Sequence, residues 1–163
     1  MSITEISLCG PHRSEPAPLI DRHRIATSTS DMENELRHLS RTIVRIINER
    51  DFDYQGAEAK SLVAEHVAND WYGRFDDLPW TINFAEQTEA WRQVTIDYPD
   101  VYFDLDDIEC EVRKDRTAEV LLKGAMTGRK GLQLQGLCEL KWKFSSGKWM
   151  WYYHHAIRGL REI

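Results

Sequence analysis

The sequence contains no apolar run of about 18 residues, the length that a membrane-spanning helix requires, so no transmembrane helix is predicted. It has only three cysteines, Cys9, Cys110 and Cys138, and no two of them are close together. This spacing excludes a disulfide framework and a cysteine zinc site. A nucleotide-binding glycine loop and a Gly-x-Ser-x-Gly motif are also missing. We therefore expect no metal, no cofactor and no covalent catalysis.

Acidic residues outnumber basic ones: the sequence has 27 Asp and Glu and 21 Lys and Arg, which gives a formal net charge of −6. Without a basic stripe, nucleic acid is not expected to be a partner. The N-terminus lacks the apolar segment and cleavage site of a signal peptide. Cys110 and Cys138 fall on apolar strand faces, which is typical of buried thiols in a reducing compartment. A cytoplasmic protein without membrane contact is predicted.

The sequence is rich in large aromatic residues, with six Trp, six Tyr and five Phe. Trp and Tyr combine an apolar body with a polar tip, so they suit pockets and interfaces. The length of 163 residues fits one domain. Residues 1–30 hold three of the five prolines and show no sustained period, which predicts a flexible segment before a domain at 31–163. An arm that crosses a partner subunit or covers a pocket is the alternative.

Three helical patterns occupy the first hundred residues. The first covers residues 31–50, where a cap at Ser30-Asp31 precedes apolar residues at helical spacing. The second runs from Gly56 to Asn69-Asp70 and is followed by a short aromatic strand, WYGRF. The third runs from about Asn83 to Ile96.

After Pro99 the apolar period changes from 3.6 to 2. Strands are predicted at 101–112, 117–127, 132–144 and 148–158, and Asp106-Asp107 interrupts the first of them. Short turns join these strands, so they should pair as an antiparallel meander. Helices followed by a long sheet predict an α+β domain.

Four segments resemble the nuclear-transport-factor-2-like fold, and within it the SnoaL-like family: SLVAEHVANDWYGRF, IDYPDVYFDLDDIECEV, TAEVLLKGAMTG and ELKWKFSSGKWMWYYHHAIRG. The resemblance covers about residues 33–158. It implies a cone in which three helices close over the concave face of a curved antiparallel sheet, with a pocket between them. Similar proteins include polyketide cyclases, scytalone dehydratase, ketosteroid isomerase and proteins without catalysis, so the site must decide the function.

The resemblance also suggests which face of the last strand enters the pocket. In similar proteins the even-numbered set follows the turn inward, which directs Tyr152 and His154 to the pocket. Trp149, Trp151 and Tyr153 would then lie on the outer face, where an aromatic patch predicts a homodimer interface. The opposite assignment, which turns His155 inward, remains open.

General acid–base chemistry by His154 is the leading hypothesis, with Tyr152 as a hydrogen-bond donor. Asp76 follows the aromatic strand where similar isomerases place a carboxylate, so it is the candidate second base. The alternatives are a buried histidine bonded to the backbone and an ordinary turn aspartate.

The predicted pocket lining is aromatic and apolar, which suits a flat hydrophobic molecule. The substrate-binding candidates are Tyr72, Trp71, Trp91, Trp142, Phe144, Leu140 and Met126. The expected function is that of a cofactor-free cyclase, dehydratase or isomerase acting on a polycyclic or aromatic intermediate of secondary metabolism. The alternative is a non-catalytic dimeric domain that binds a hydrophobic ligand or a protein.

Overall fold

The structure, a computed structural model, describes residues 28–75, 78–129 and 132–161. The helices are α1 (Thr29–Glu49), α2 (Ala57–His66) and α3 (Phe84–Asp97). The strands are β1 (Val67–Phe75), β2 (Tyr102–Val112), β3 (Thr117–Arg129), β4 (Leu132–Ser145) and β5 (Lys148–Arg161). Among the described residues, no helix is long and apolar enough to cross a membrane. The N-terminal segment predicted to be flexible lies outside the described residues up to residue 27.

Helix α1 begins two residues earlier than its sequence pattern suggests. Its cap is Ser28, whose hydroxyl accepts a hydrogen bond from the Asp31 backbone N–H, while the Asp31 side chain accepts one from the Ser28 backbone. This reciprocal pair satisfies two N–H groups that a helix start leaves unpaired. At the other end, Arg50 adopts a left-handed conformation and ends the helix.

The five strands form one sheet in the order β1-β5-β4-β3-β2. Strands β2 to β5 pair as the predicted antiparallel meander. The register of β2 against β3 shifts between Leu105 and Asp107, where the sequence predicts an interruption. Strand β1 pairs in parallel with β5, a pairing that the sequence does not predict. The α+β class and the order of helices and strands agree with the prediction.

Helix α1 crosses the concave face of the sheet and is attached to the first residues of β2. The Asn48 side-chain amide donates to the Phe103 carbonyl at 2.9 Å, and its oxygen accepts from the Phe103 N–H at 2.8 Å. Asn48 thus pairs with an edge strand as a neighbouring strand would. The apolar side chains of α1 pack over the same face as the buried tryptophans Trp71, Trp142, Trp149 and Trp151.

A bulge in β5 changes which side chains face inward. Trp151 pairs with Trp142, but the next residue of β4, Lys141, pairs with Tyr153, so Tyr152 is an extra residue. The Trp151 indole N–H donates to the Tyr153 carbonyl at 2.8 Å across this bulge. Trp149 and Trp151 are therefore buried under the helices, and the expectation that they lie on the outer face is wrong.

Candidate functional site

An interior cavity lies between the helices and the concave face of the sheet, and it has two lobes. The large lobe, about 100 Å³, lies against strands β2 to β5, and the small lobe, about 40 Å³, lies among the three helices and β5. Ile43, Ile47, Trp91 and His154 line both lobes, so the two lobes lie next to each other at these residues.

The large lobe reaches the surface beside two of its lining residues, since Asp104 is exposed and Ile157 is 43% exposed. Its inner wall is apolar and includes Leu122, Met126 and Leu140. An apolar wall with few polar groups is typical of small-molecule sites. We therefore take this cavity as the candidate functional site.

His154 is the polar group where the two lobes meet. Because the bulge follows Trp151, both Trp151 and His154 point inward, and the His154 side chain is only 5% exposed. The centre of its ring lies 5.4 Å from the centre of the Phe75 ring and 5.7 Å from that of the Trp151 ring. Within the described part of the chain, neither Nδ1 nor Nε2 of His154 has a hydrogen-bond partner.

Burial, and to a smaller extent charge repulsion from the nearby His155, lowers the pKa of His154 from 6.5 to about 3. An imidazolium would lose its hydration in this apolar setting, so the neutral form is favoured. At neutral pH the ring therefore carries one N–H donor and one nitrogen acceptor.

Gln87 is a second buried polar group, and the sequence analysis missed it. It lies on α3, is 4% exposed and lines the small lobe, and its Oε1 has no partner among the described residues. A capping box between Asn83 and Glu86 fixes the start of α3. Phe84, Gln87 and Trp91 then lie on one face of the helix, at the spacing of a buried stripe.

The structure does not bring the three predicted catalytic residues together. Tyr152, as the bulge residue, lines neither lobe, and the Lys143 ammonium lies 5.4 Å from the centre of its ring. Lys143 also pairs with the exposed Asp70 at 3.0 Å, so Tyr152 is on the outer side. The expected pairing of Tyr152 with His154 in the pocket is thus corrected. Asp76 lies outside the described residues.

Three of the predicted substrate-binding residues, Trp91, Leu140 and Met126, line the cavity. Tyr72 does not, because it is 42% exposed and packs on Tyr153 across the outer face, with ring centres 4.9 Å apart. Its placement in the pocket is therefore wrong.

Trp71, Trp142 and Phe144 point toward the helices but line neither lobe. Trp71 packs edge-on against His154 from behind the site, with ring centres 6.4 Å apart. Trp142 stacks on Trp151, and Phe144 packs on Trp149. In residues 28–75, 78–129 and 132–161, no group of three or more His, Cys, Asp or Glu could hold a metal ion.

No protein-family model matches the sequence, and no curated protein matches it. Solved structures do match. An NTF2-like protein from Pseudomonas putida is 14% identical and has a TM-score of 0.59, over 80% of this chain and 88% of that one. A candidate dehydratase of the NTF2-like family from Streptomyces avermitilis is 15% identical and has a TM-score of 0.62, over 82% of this chain and 100% of that one.

A third match is the hexachlorocyclohexane dehydrochlorinase LinA-type3 from Novosphingobium barchaimii. It is 9% identical and has a TM-score of 0.61, over 79% of this chain and 90% of that chain. These likenesses show that the chain has the nuclear-transport-factor-2-like fold, as predicted. At such low identity they show the fold alone, and membership of the SnoaL-like family stays a prediction.

Proposed function

We propose that this protein binds a small hydrophobic molecule in its interior cavity and acts on it by proton transfer at His154. It would be a cofactor-free dehydratase, isomerase or cyclase, with secondary metabolism as one setting. One observation carries the proposal: a buried imidazole with both nitrogens unpartnered among the described residues faces an apolar cavity. The dehydrochlorinase and the candidate dehydratase of the same fold support elimination chemistry.

The neutral imidazole acts first as a base. One ring nitrogen accepts a proton from a substrate carbon next to a carbonyl, as the C–H bond breaks. In a dehydration, a C=C bond forms, and the departing hydroxide takes the proton from the imidazolium and leaves as water. In an isomerisation the proton returns to a different carbon. Acid–base catalysis of this kind typically contributes about 10²–10⁴-fold to a rate.

The low pKa of His154 limits how long the protonated ring persists during the reaction. An imidazolium in the cavity lacks hydration, so it is tolerated only while the anionic substrate lies beside it as a neutral pair. The imidazolium is therefore short-lived, which suits reactions in which the proton leaves the ring within one turnover, to the substrate or to water.

The volume of the cavity narrows the expected substrate. An engineered cavity of about 150 Å³ binds benzene, and the two lobes here measure about 100 and 40 Å³. A molecule built on one ring fits this space better than the polycyclic intermediate expected from the resemblance.

Binding without turnover is the second candidate, and one observation favours it. In the described part of the chain, no carboxylate is hydrogen-bonded to His154, so none orients the ring or stabilises its cation. A histidine base usually has such a partner.

Deuterium exchange separates the two candidates. Cyclohexanone is incubated with the protein in D₂O, and NMR follows the loss of its α-protons and its binding. If His154 is the base, the wild type accelerates exchange and His154→Gln is slower by about 10²-fold or more. His38→Gln, which changes an exposed histidine of α1, should leave the rate unchanged. Binding without exchange favours the second candidate, and absence of both contradicts the proposed function.

A cytoplasmic location and a homodimer belong to the same proposal. Cys110 is a free thiol, which suits a reducing compartment. Burial raises the pKa of Cys110 to about 11, so it is an unreactive thiol. Of the three residues first assigned to the dimer contact, Tyr153 remains on the outer face, beside the exposed Tyr72.

A further inference from the structure

The small lobe contains a polar group that proton transfer at His154 does not use. Among the buried polar residues of the described chain, only His154 and Gln87 line the cavity. Gln87 points from α3 toward the helical side of the cavity, and its Oε1 is buried without a partner in the described residues. Buried polar atoms are nearly always hydrogen-bonded, so we expect this oxygen to accept a hydrogen bond from a ligand or another group.

The neighbouring hydroxyl groups do not supply that donor. The Thr88 hydroxyl donates to the Phe84 carbonyl at 3.0 Å. The Tyr54 hydroxyl lies 2.5 Å from the Thr88 oxygen, and because the Thr88 proton is already used, Tyr54 donates to it. Both hydroxyl protons are thus committed, so neither is available to the unpartnered oxygen of Gln87.

The surroundings of Gln87 also restrict the charge of a ligand. No Lys or Arg lines either lobe, so an anion would be desolvated without a counter-charge. In the small lobe beside Gln87 a cation would meet a neutral His154 and apolar walls, because no Asp or Glu of the described residues lines that lobe. A neutral donor on a compact apolar body therefore suits the site best, and a hydroxyl group is the smallest one.

We infer that Gln87 is the specificity-determining residue of the cavity and that it selects ring compounds bearing a hydroxyl group. The hydroxyl donates to Gln87 Oε1 in the small lobe, and the ring lies toward His154 and the large lobe. This inference rests on the proposed function, since it names the class of molecule that the same cavity takes.

Phenol and toluene test it, because they have nearly the same shape and differ in the hydroxyl. Their affinities are measured by calorimetry for the wild type, for Gln87→Met and for Gln93→Met. Gln93 is the matched control, since it is exposed on the same helix and bonds to Asp97. We expect Gln87→Met to lower the phenol-to-toluene affinity ratio by about five- to tenfold, the value of one hydrogen bond. Gln93→Met should leave the ratio unchanged.

The outcomes distinguish this inference from the proposed function. If both ligands bind and Gln87→Met leaves their ratio unchanged, Gln87 only packs, and the inference is wrong while the cavity remains a ligand site. If neither ligand binds the wild type, both proposals fail. If Gln87→Met does not fold, NMR of the wild type decides: phenol, unlike toluene, must shift the side-chain amide resonances of Gln87, and equal shifts overturn the inference.

Discussion

Acidification should destabilise the protein through His154, and the structure gives the size of the effect. Burial lowers the pKa of His154 from 6.5 to about 3, whereas the unfolded chain keeps the ordinary value. Between these two pKa values, unfolding takes up a proton, so the free energy of unfolding decreases by about 1.4 kcal/mol for each pH unit of acidification. Between pH 7 and pH 5 the loss from this residue is about 2 kcal/mol.

The direction of the effect follows from which form is penalised. Above pH 6.5 the imidazole is neutral in both the folded and the unfolded state, so His154 ionisation does not change the free energy of unfolding there. As the pH falls below 6.5 the unfolded state gains protons first, and the loss is complete only below about pH 3. Small domains have about 5–15 kcal/mol of stability, so the effect at pH 5 is measurable.

Urea unfolding at pH 7 and pH 5, followed by tryptophan fluorescence, measures the effect. The wild type should lose about 2 kcal/mol more than His154→Gln, because the glutamine does not titrate. His38→Gln, at an exposed position on α1, should behave as the wild type does, and carboxylates common to all three proteins cancel. Equal losses for the wild type and His154→Gln would refute the reasoning, since they would mean that the ring is hydrated in the native state.

Two further predictions concern the sheet. A Cβ at Gly124 would collide with the backbone of β2, whereas one at Gly136 would lie 3.6 Å from its nearest neighbour. Gly124→Ala should therefore lower the free energy of unfolding, measured with urea, by about 1–3 kcal/mol. Gly136→Ala should lower it by much less, and equal losses for the two variants would contradict this prediction. Tyr72→Glu places a charge on the outer face and should convert the proposed homodimer to a monomer in sedimentation. An unchanged sedimentation coefficient would show that this face is not the contact.

The elements that the sequence predicted well are those with a strong local signal. Helix α1 repeats apolar residues at helical spacing, and β3 and β4 alternate apolar and polar residues over more than ten positions. The pair Asp106-Asp107 also predicted the register shift that separates Leu105 from Asp107. Each signal depends on neighbouring residues alone, so one sequence is enough to detect it.

The parallel pairing of β1 with β5 could not be predicted from the sequence, because it joins segments about 80 residues apart and has no local signal. This pairing brings Tyr72 opposite Tyr153 and thereby sends both to the outer face. The pocket role predicted for Tyr72 fails for that reason. A period of two shows which residues share a face, but it does not show which face is covered by helices.

The sequence around Gln87 does contain a signal of its buried position. Gln87 lies three residues after Phe84 and four before Trp91, so it belongs to the apolar face of α3. A glutamine on that face must be buried, and a buried amide needs partners. A polar residue on the apolar face of a helix is therefore a site candidate that the sequence alone can indicate.

The bulge in β5 is the feature on which the whole site depends. With strict alternation, inward-facing Trp149 and Trp151 would require an inward-facing Tyr153 and would turn His154 to the outer face. The extra residue, Tyr152, shifts the alternation by one, so the strand buries two tryptophans and then presents His154 to the cavity. Large aromatic residues stand at both odd-numbered and even-numbered positions of this strand. The sequence therefore shows no clear alternation of apolar and polar residues, and a shift in that alternation could not be detected from it. The bonds that stabilise the bulge, such as that from the Trp151 indole to the Tyr153 carbonyl, therefore also orient His154.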